Sequence, residues 1–117
     1  SFIGSPTMNL LRGTQVGGLF DLPQVPLALA APQGPRELLL GVRPEHLELV
    51  DGAAWRGEVS VVEPTGPDTY VTVDTAAGSV TLRTDAQNRV QPGERVGLAV
   101  APAHAHWFDA RTQDRIA

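Results

Sequence analysis

Nine arginines, thirteen carboxylates and three histidines are the groups with which this 117-residue chain could do acid–base, anion or metal chemistry. The pair in His104-Ala105-His106 is the one arrangement with ligand-like spacing, because residues two apart on a strand face one side and could share a cation. Metal sites usually need three or four protein ligands, and only Asp109 is close in sequence, so no metal site is expected. The third imidazole, His46, ends the run Gly41-Val42-Arg43-Pro44-Glu45-His46. Beside a turn it reads as a hydrogen-bonding or surface residue, able to titrate near neutral pH. The carboxylates are scattered through turns and strand ends, with no cue pairing two of them for general acid–base work. Ser5, Ser60 and Ser79 sit in no G-x-S-x-G elbow, and no Gly-rich dinucleotide loop or β–α–β unit is visible. Lysine is absent, so a phosphate-cradling G-x-x-x-x-G-K-[ST] loop cannot occur. No catalytic, cofactor-binding or metal-binding residue is expected, and the chain itself does not read as an enzyme.

The elements that position these groups are short. Ten prolines and twelve glycines break the sequence and argue against long helices. Between the breaks lie apolar, Val- and Thr-rich runs at 8–11, 25–29, 38–42, 59–62, 70–73, 80–82 and 96–100, and a last one ends in His106-Trp107-Phe108-Asp109. Val71 and Val73 share a face, as do Val80 and Leu82, with polar residues between them. Turns are expected at 63–68, at Ala76-Ala77-Gly78 as a hairpin, and at Gln91-Pro92-Gly93-Glu94 as a type II turn. Short helical turns are plausible only around 44–47 and 85–88, and residues 30–37 read as a linker dividing an N-terminal hairpin-like part from the remainder. The pattern is all-β, a small barrel or sandwich.

The length suits one domain, and a hydrophobic fraction of 42% suits a folded core. Without cysteine there can be neither a disulfide nor a thiolate site. Absent Lys beside abundant Ala, Gly and Pro fits a high-GC genome. No apolar run approaches the roughly 18 residues of a membrane span, and no signal-peptide pattern opens the chain. The start at Ser1, without an initiator Met, reads as an excised domain.

Three segments stand in a fixed order: Phe2-Ile3-Gly4-Ser5-Pro6-Thr7-Met8-Asn9, then residues 41–46, then His106 to Asp109. In the first, Phe2, Ile3 and Met8 are apolar anchors around a Ser5-Pro6 turn. In the second, Pro44 fixes its own φ, pushes Arg43 toward extended geometry and ends the preceding strand, so that Arg43 and Glu45 project from a rigid corner to hold loops or a neighbouring subunit. In the third, Trp107 and Phe108 must plug the barrel or be covered by a partner. Together these segments resemble the transport-associated OB (TOBE) domain, the C-terminal accessory region of the ATP-hydrolysing subunit of sugar-type ABC importers. The resemblance runs from Phe2 through Ile116 and is weakest from Gly13 to Leu40. His106, Phe108 and Asp109 match the family's ending, whereas His104 does not. Met8-Asn9-Leu10-Leu11 and the Phe108-Asp109 ending look closest to sugar and glycerol-3-phosphate importers.

The resemblance implies a single OB-like barrel over residues 1–117, with 1–12 leading in from a nucleotide-binding domain that lies outside the chain. It implies a non-catalytic role in subunit dimerisation and regulatory contacts, on the cytoplasmic face of the membrane. The implied partners are a second copy of the subunit, its own nucleotide-binding domain, the permease subunits and, in some relatives, a regulatory protein. ATP and Mg would bind the nucleotide-binding domain and no cofactor would bind here. The interface and structural candidates are Phe2, Pro6, Met8, Asn9, Arg43, Pro44, Glu45, His46, His106, Trp107, Phe108 and Asp109. An alternative is an oxyanion sensor using Thr65-Gly66 or Gly78-Ser79 as a backbone nest. Nucleic-acid binding by an OB barrel is disfavoured by the net charge of −4 and an aromatic content of 5%.

Overall fold

A computed structural model describes residues 7–117, so Phe2, the Ser5-Pro6 turn and Pro6 lie outside the described residues. The strands are β1 (Asn9–Val16), β2 (Leu19–Leu22), β3 (Val25–Ala30), β4 (Glu37–Val42), β5 (Leu47–Leu49), β6 (Trp55–Pro64), β7 (Asp68–Thr75), β8 (Gly78–Asp85), β9 (Arg95–Val100) and β10 (His106–Asp109). Single 3-10 turns occupy Pro44–His46 and Pro102–His104. One five-stranded sheet runs β10-β4-β1-β2-β3 and the other β5-β9-β6-β7-β8. Their inner faces share one core, in which Leu38, Leu40, Val71, Val73, Val80 and Leu82 are buried, and together they form a nearly closed, OB-like barrel.

The alternation of the sequence builds this arrangement. Along β1, Leu11 and Gly13 point inward while Leu10, Arg12 and Val16 point out; along β4, Leu38, Leu40 and Val42 fill the core. Each buried Leu or Val contributes roughly 1.5–3 kcal/mol relative to exposure. The β7–β8 hairpin turns at Ala76-Ala77 with Gly78 at φ +102°, and Gly93, at φ +89°, completes the turn closed by Glu94 N–H donating to the Gln91 carbonyl at 3.1 Å.

Several expectations are corrected. Residues 30–37 are not a divider: β4 pairs with β1 from Asn9↔Val42 to Thr14↔Glu37, so the N-terminal hairpin belongs to the same sheet as β4 and β10. That hairpin reverses through Gly17 and Gly18 (φ +58° and +80°), the left-handed pair a two-residue turn requires, and so creates the separate strand β2. Residues 85–88 form a turn rather than a helix, because the Asp85 carboxylate accepts from the backbone N–H groups of Gln87 and Asn88. Leu47 belongs to β5, paired with Val100, and does not extend the turn at Pro44–His46. In β6 the register shifts between Val59 and Val61. Ser60 is the extra residue of this bulge, and Val61 consequently turns to solvent while Val59 stays buried.

Candidate functional site

The corner that ends β4 forms as its residues require. Arg43 is extended (φ −71°, ψ 147°) because Pro44 follows it, and His46 N–H donates to the Arg43 carbonyl at 2.9 Å to close the 3-10 turn. Pro44 is buried, whereas Arg43 and Glu45 are exposed. Glu45 lies beside Arg83 and Asn88 at a surface depression next to β8. Of the two roles expected for Arg43, holding loops or a neighbouring subunit, the first is not seen: among the described residues its guanidinium makes neither a hydrogen bond nor an ion pair. The corner is held instead by the proline and by ring stacking: His46 lies on His104 with centroids 3.8 Å apart and planes 5° from parallel.

The shared-cation geometry that the spacing of His104 and His106 would allow does not form. His104 ends the second 3-10 turn and only His106 lies on β10, so the two do not share a strand face. Among the described residues no group of three or more His, Asp or Glu is placed to hold a metal. The Nδ1 atoms of His46 and His104 are buried without a hydrogen-bond partner. His106 Nδ1 accepts from the Arg115 guanidinium at 2.6 Å. Burial, and then the positive charges of Arg115 and Arg43 with the neighbouring His46 and His104, hold the His106 pKa below its usual value.

Asp109 explains why Arg115 is there. Its carboxylate accepts from Arg111 N–H at 2.8 Å and Thr112 N–H at 3.3 Å, turning the chain back. The returning segment pairs antiparallel with β10 through the Phe108↔Arg115 bridge, with Ile116 N–H donating to the Trp107 carbonyl at 2.8 Å. The Arg115 guanidinium thereby sits 5.9 Å over the Phe108 ring. Trp107 faces inward and meets Phe20 edge-on, with centroids 5.1 Å apart and planes 70° apart, so it plugs the barrel.

Phe108 faces outward. Across β10, β4 and β1, Phe108 pairs with Leu39 and Leu10 with Gly41, and the bare Gly41 backbone forms a floor against which Met8 and Phe108 pack. Met8, Leu10, Leu39, Phe108 and Gln113 line a shallow cavity of about 290 Å³. Leu10 is 56% exposed at its rim, and the Arg12–Glu37 pair, at 3.6 Å, lies on the same outer face. An apolar centre with a charged border has the composition of a contact surface. Sequence reasoning placed Met8 and Phe108 in this role but missed Leu10, Leu39 and Arg115. The alternation of β1 and β4 carried the signal for the two leucines, whereas Arg115 arrives only through the Asp109 turn.

Asn9 has a different task. Its Nδ2 donates to the carbonyls of Val42 (3.0 Å) and Thr81 (2.8 Å), and its Oδ1 accepts from Thr81 N–H at 2.8 Å. The side-chain amide thus stands in for a strand partner along the free edge of β8 and ties the two sheets together. The alternative oxyanion turns are already satisfied internally. Thr65 Oγ1 donates to the Asp68 carbonyl, and Ser79 Oγ donates at 2.7 Å to the Asp74 carboxylate, a charge that repels an anion.

Comparison with known proteins places this geometry. Residues 40–108 match the family model described as TOBE domain, and residues 4–47 match that of the MalK OB fold domain. The chain is 37% identical, over 98% of its length, to the sn-glycerol-3-phosphate import ATP-binding protein UgpC of Cereibacter sphaeroides, covering 34% of that protein. It is 40% identical over 99% of its length to an uncharacterized ABC transporter ATP-binding protein, y4oS, of Sinorhizobium fredii, covering 33% of it. It is 33% identical over 98% to the sulfoquinovosyl glycerol transport ATP-binding protein SmoE of Agrobacterium fabrum, covering 35% of it. The chain therefore spans about a third of the length of the curated relatives it matches. The crystal structure of the cytoplasmic molybdate-binding protein ModG with molybdate bound has the same fold, with a TM-score of 0.68 over 90% of this chain and 98% of that one at 15% identity.

Proposed function

Because the chain belongs to the TOBE-domain family, whose model spans residues 40–108, we propose that it is the non-catalytic C-terminal accessory domain of the ATP-binding subunit of an ABC importer. Sugar or glycerol-3-phosphate-type uptake is the activity of the parent, by analogy with relatives named for sn-glycerol-3-phosphate import and sulfoquinovosyl glycerol transport. The observation that carries the reading is agreement along almost the whole chain with ABC transporter and sn-glycerol-3-phosphate import ATP-binding proteins. In this reading ATP and Mg²⁺ bind the part of the subunit outside the chain, which works with permease subunits at the cytoplasmic face of the membrane. The chain contributes contact surface. No helix among the described residues is long and apolar enough to cross a membrane.

The outer face around Gly41 is the surface we assign to subunit dimerisation and regulatory contacts, since Leu10 is exposed there and the half-buried Met8, Leu39 and Phe108 line the cavity beside it. Leu10→Glu tests it without touching the core. Sedimentation equilibrium of the full-length parent subunit should show a dimer that the substitution weakens by at least about 1.5–3 kcal/mol, the transfer free energy of one leucine side chain. An unchanged dimer removes this face from the interface. ATP hydrolysis by the purified 117-residue chain would sink the non-catalytic reading.

A further inference from the structure

The basic groups where the two 3-10 turns meet β10 form a patch whose outward edges are hydrogen-bond donors. Arginine can only donate, so Arg115 fixes His106 Nδ1 as an acceptor and leaves the ring proton on Nε2. The Nδ1 atoms of His46 and His104 are buried and unpaired, and a neutral imidazole with one dry edge keeps its proton on the wet one, where the N–H can be donated. Three Nε2–H groups thus accompany two guanidiniums.

Arg43 pairs with no carboxylate among the described residues, and Glu45 lies off toward Arg83. The charged and titratable groups that act on His106 are Arg115 from the C-terminal segment, Arg43 before the first 3-10 turn, His46 at its end and His104 at the end of the second; all are basic. In a chain of net charge −4, this is a concentration of basic groups with which no carboxylate pairs among the described residues.

We propose that Arg43, His46, His104, His106 and Arg115 form an oxyanion site that takes a phosphate group, either free phosphate or the terminal phosphate of a monoester. The two guanidiniums carry two positive charges at any accessible pH, which matches a phosphate dianion and leaves a lone carboxylate half compensated. Their forked donors suit tetrahedral oxyanions, and the imidazole N–H groups supply neutral donors beside them. The site lies wholly within this chain, so it stands or falls separately from the accessory-domain reading.

The test is a titration of the 117-residue chain near pH 7.5, where phosphate is mostly dianionic, at constant ionic strength. Inorganic phosphate and glycerol phosphate are the two probes, followed by the ring proton resonances of the three histidines and by calorimetry. The expected result is saturable movement of the histidine resonances. Arg43→Gln and Arg115→Gln should each weaken binding by about tenfold, the loss of one charge-assisted hydrogen bond, while Glu45→Gln leaves it unchanged. Far-UV circular dichroism checks that each exposed substitution leaves the fold intact, and either arginine variant suffices if the other does not fold. A response to both probes assigns a site open to esters, and a response to phosphate alone assigns the free anion. Shifts that rise linearly without saturating, and are equal in the arginine variants, overturn the proposal.

Discussion

Replacing Asn9 removes three hydrogen bonds and nothing from the hydrophobic core. The side chain bridges the carbonyls of Val42 and Thr81 and the N–H of Thr81 at 2.8–3.0 Å, across a sequence separation of 72 residues to β8. At about 1 kcal/mol net per bond, Asn9→Ala costs roughly 3 kcal/mol. With an unfolding entropy near 2.1 cal/mol/K per residue, a chain of this length has about 0.25 kcal/mol/K, so the melting temperature falls by roughly 12 °C. Asn9→Asp is the sharper probe because it keeps the shape. Its oxygen can still accept from Thr81 N–H, but an ionised carboxylate then faces two carbonyls that the amide served as donor. Ionisation is disfavoured in the folded state, so the folded pKa of Asp at this position rises above the unfolded value near 3.9. The stability of Asn9→Asp is therefore greatest below about pH 3.9 and is lost as pH rises through the folded pKa, leaving it below Asn9→Ala at neutral pH. Urea unfolding at several pH values, read as midpoint shifts at constant slope, supplies the measurement. A loss under about 0.5 kcal/mol for Asn9→Ala, or an Asn9→Asp variant as stable as wild type at pH 7, refutes the inter-sheet clamp.

Two further outcomes follow from particular contacts. Gly13→Ala would bring a methyl group to 2.5 Å from the Asp21 carbonyl and 2.7 Å from the Phe20 ring, which is itself braced by Trp107, so calorimetry should show a loss of about 1–3 kcal/mol; a neutral effect would mean the β1–β2 hairpin is not seated on Phe20. The His106 pKa is lower folded than unfolded, so the unfolded state binds more protons and stability falls as pH drops below about 6.5 toward the folded value. His106→Gln, in phosphate-free buffer, should flatten that part of the stability–pH curve, and an unchanged slope would show that another group sets it.

The local chemistry of this protein was legible in the order of its residues. Pro44 had to end β4 and hold Arg43 extended, the Val and Leu alternation of β7 and β8 had to face one core, and Gly78 and Gly93 had to mark turns, because each depends on one residue's own backbone or on a period of two. The family and the all-β class followed from such short-range signals. What the sequence left open depended on which distant residues meet. Residues 30–37 look like a divider until β4 pairs with β1. Val61 shares a face with Val59 in a regular strand and loses it to the bulge at Ser60. His104 looks like a partner for His106 by spacing, but the 3-10 turn beginning at Pro102 turns it away to stack on His46, 58 positions earlier. Arg43 and Arg115 acquire a common neighbour in His106 only once the Asp109 turn folds the tail back along β10. Periodicity and turn chemistry are properties of neighbours along the chain, whereas pairing register and side-chain convergence are settled by packing, and the apolar face around Gly41 and the basic patch beside it both belong to that second kind.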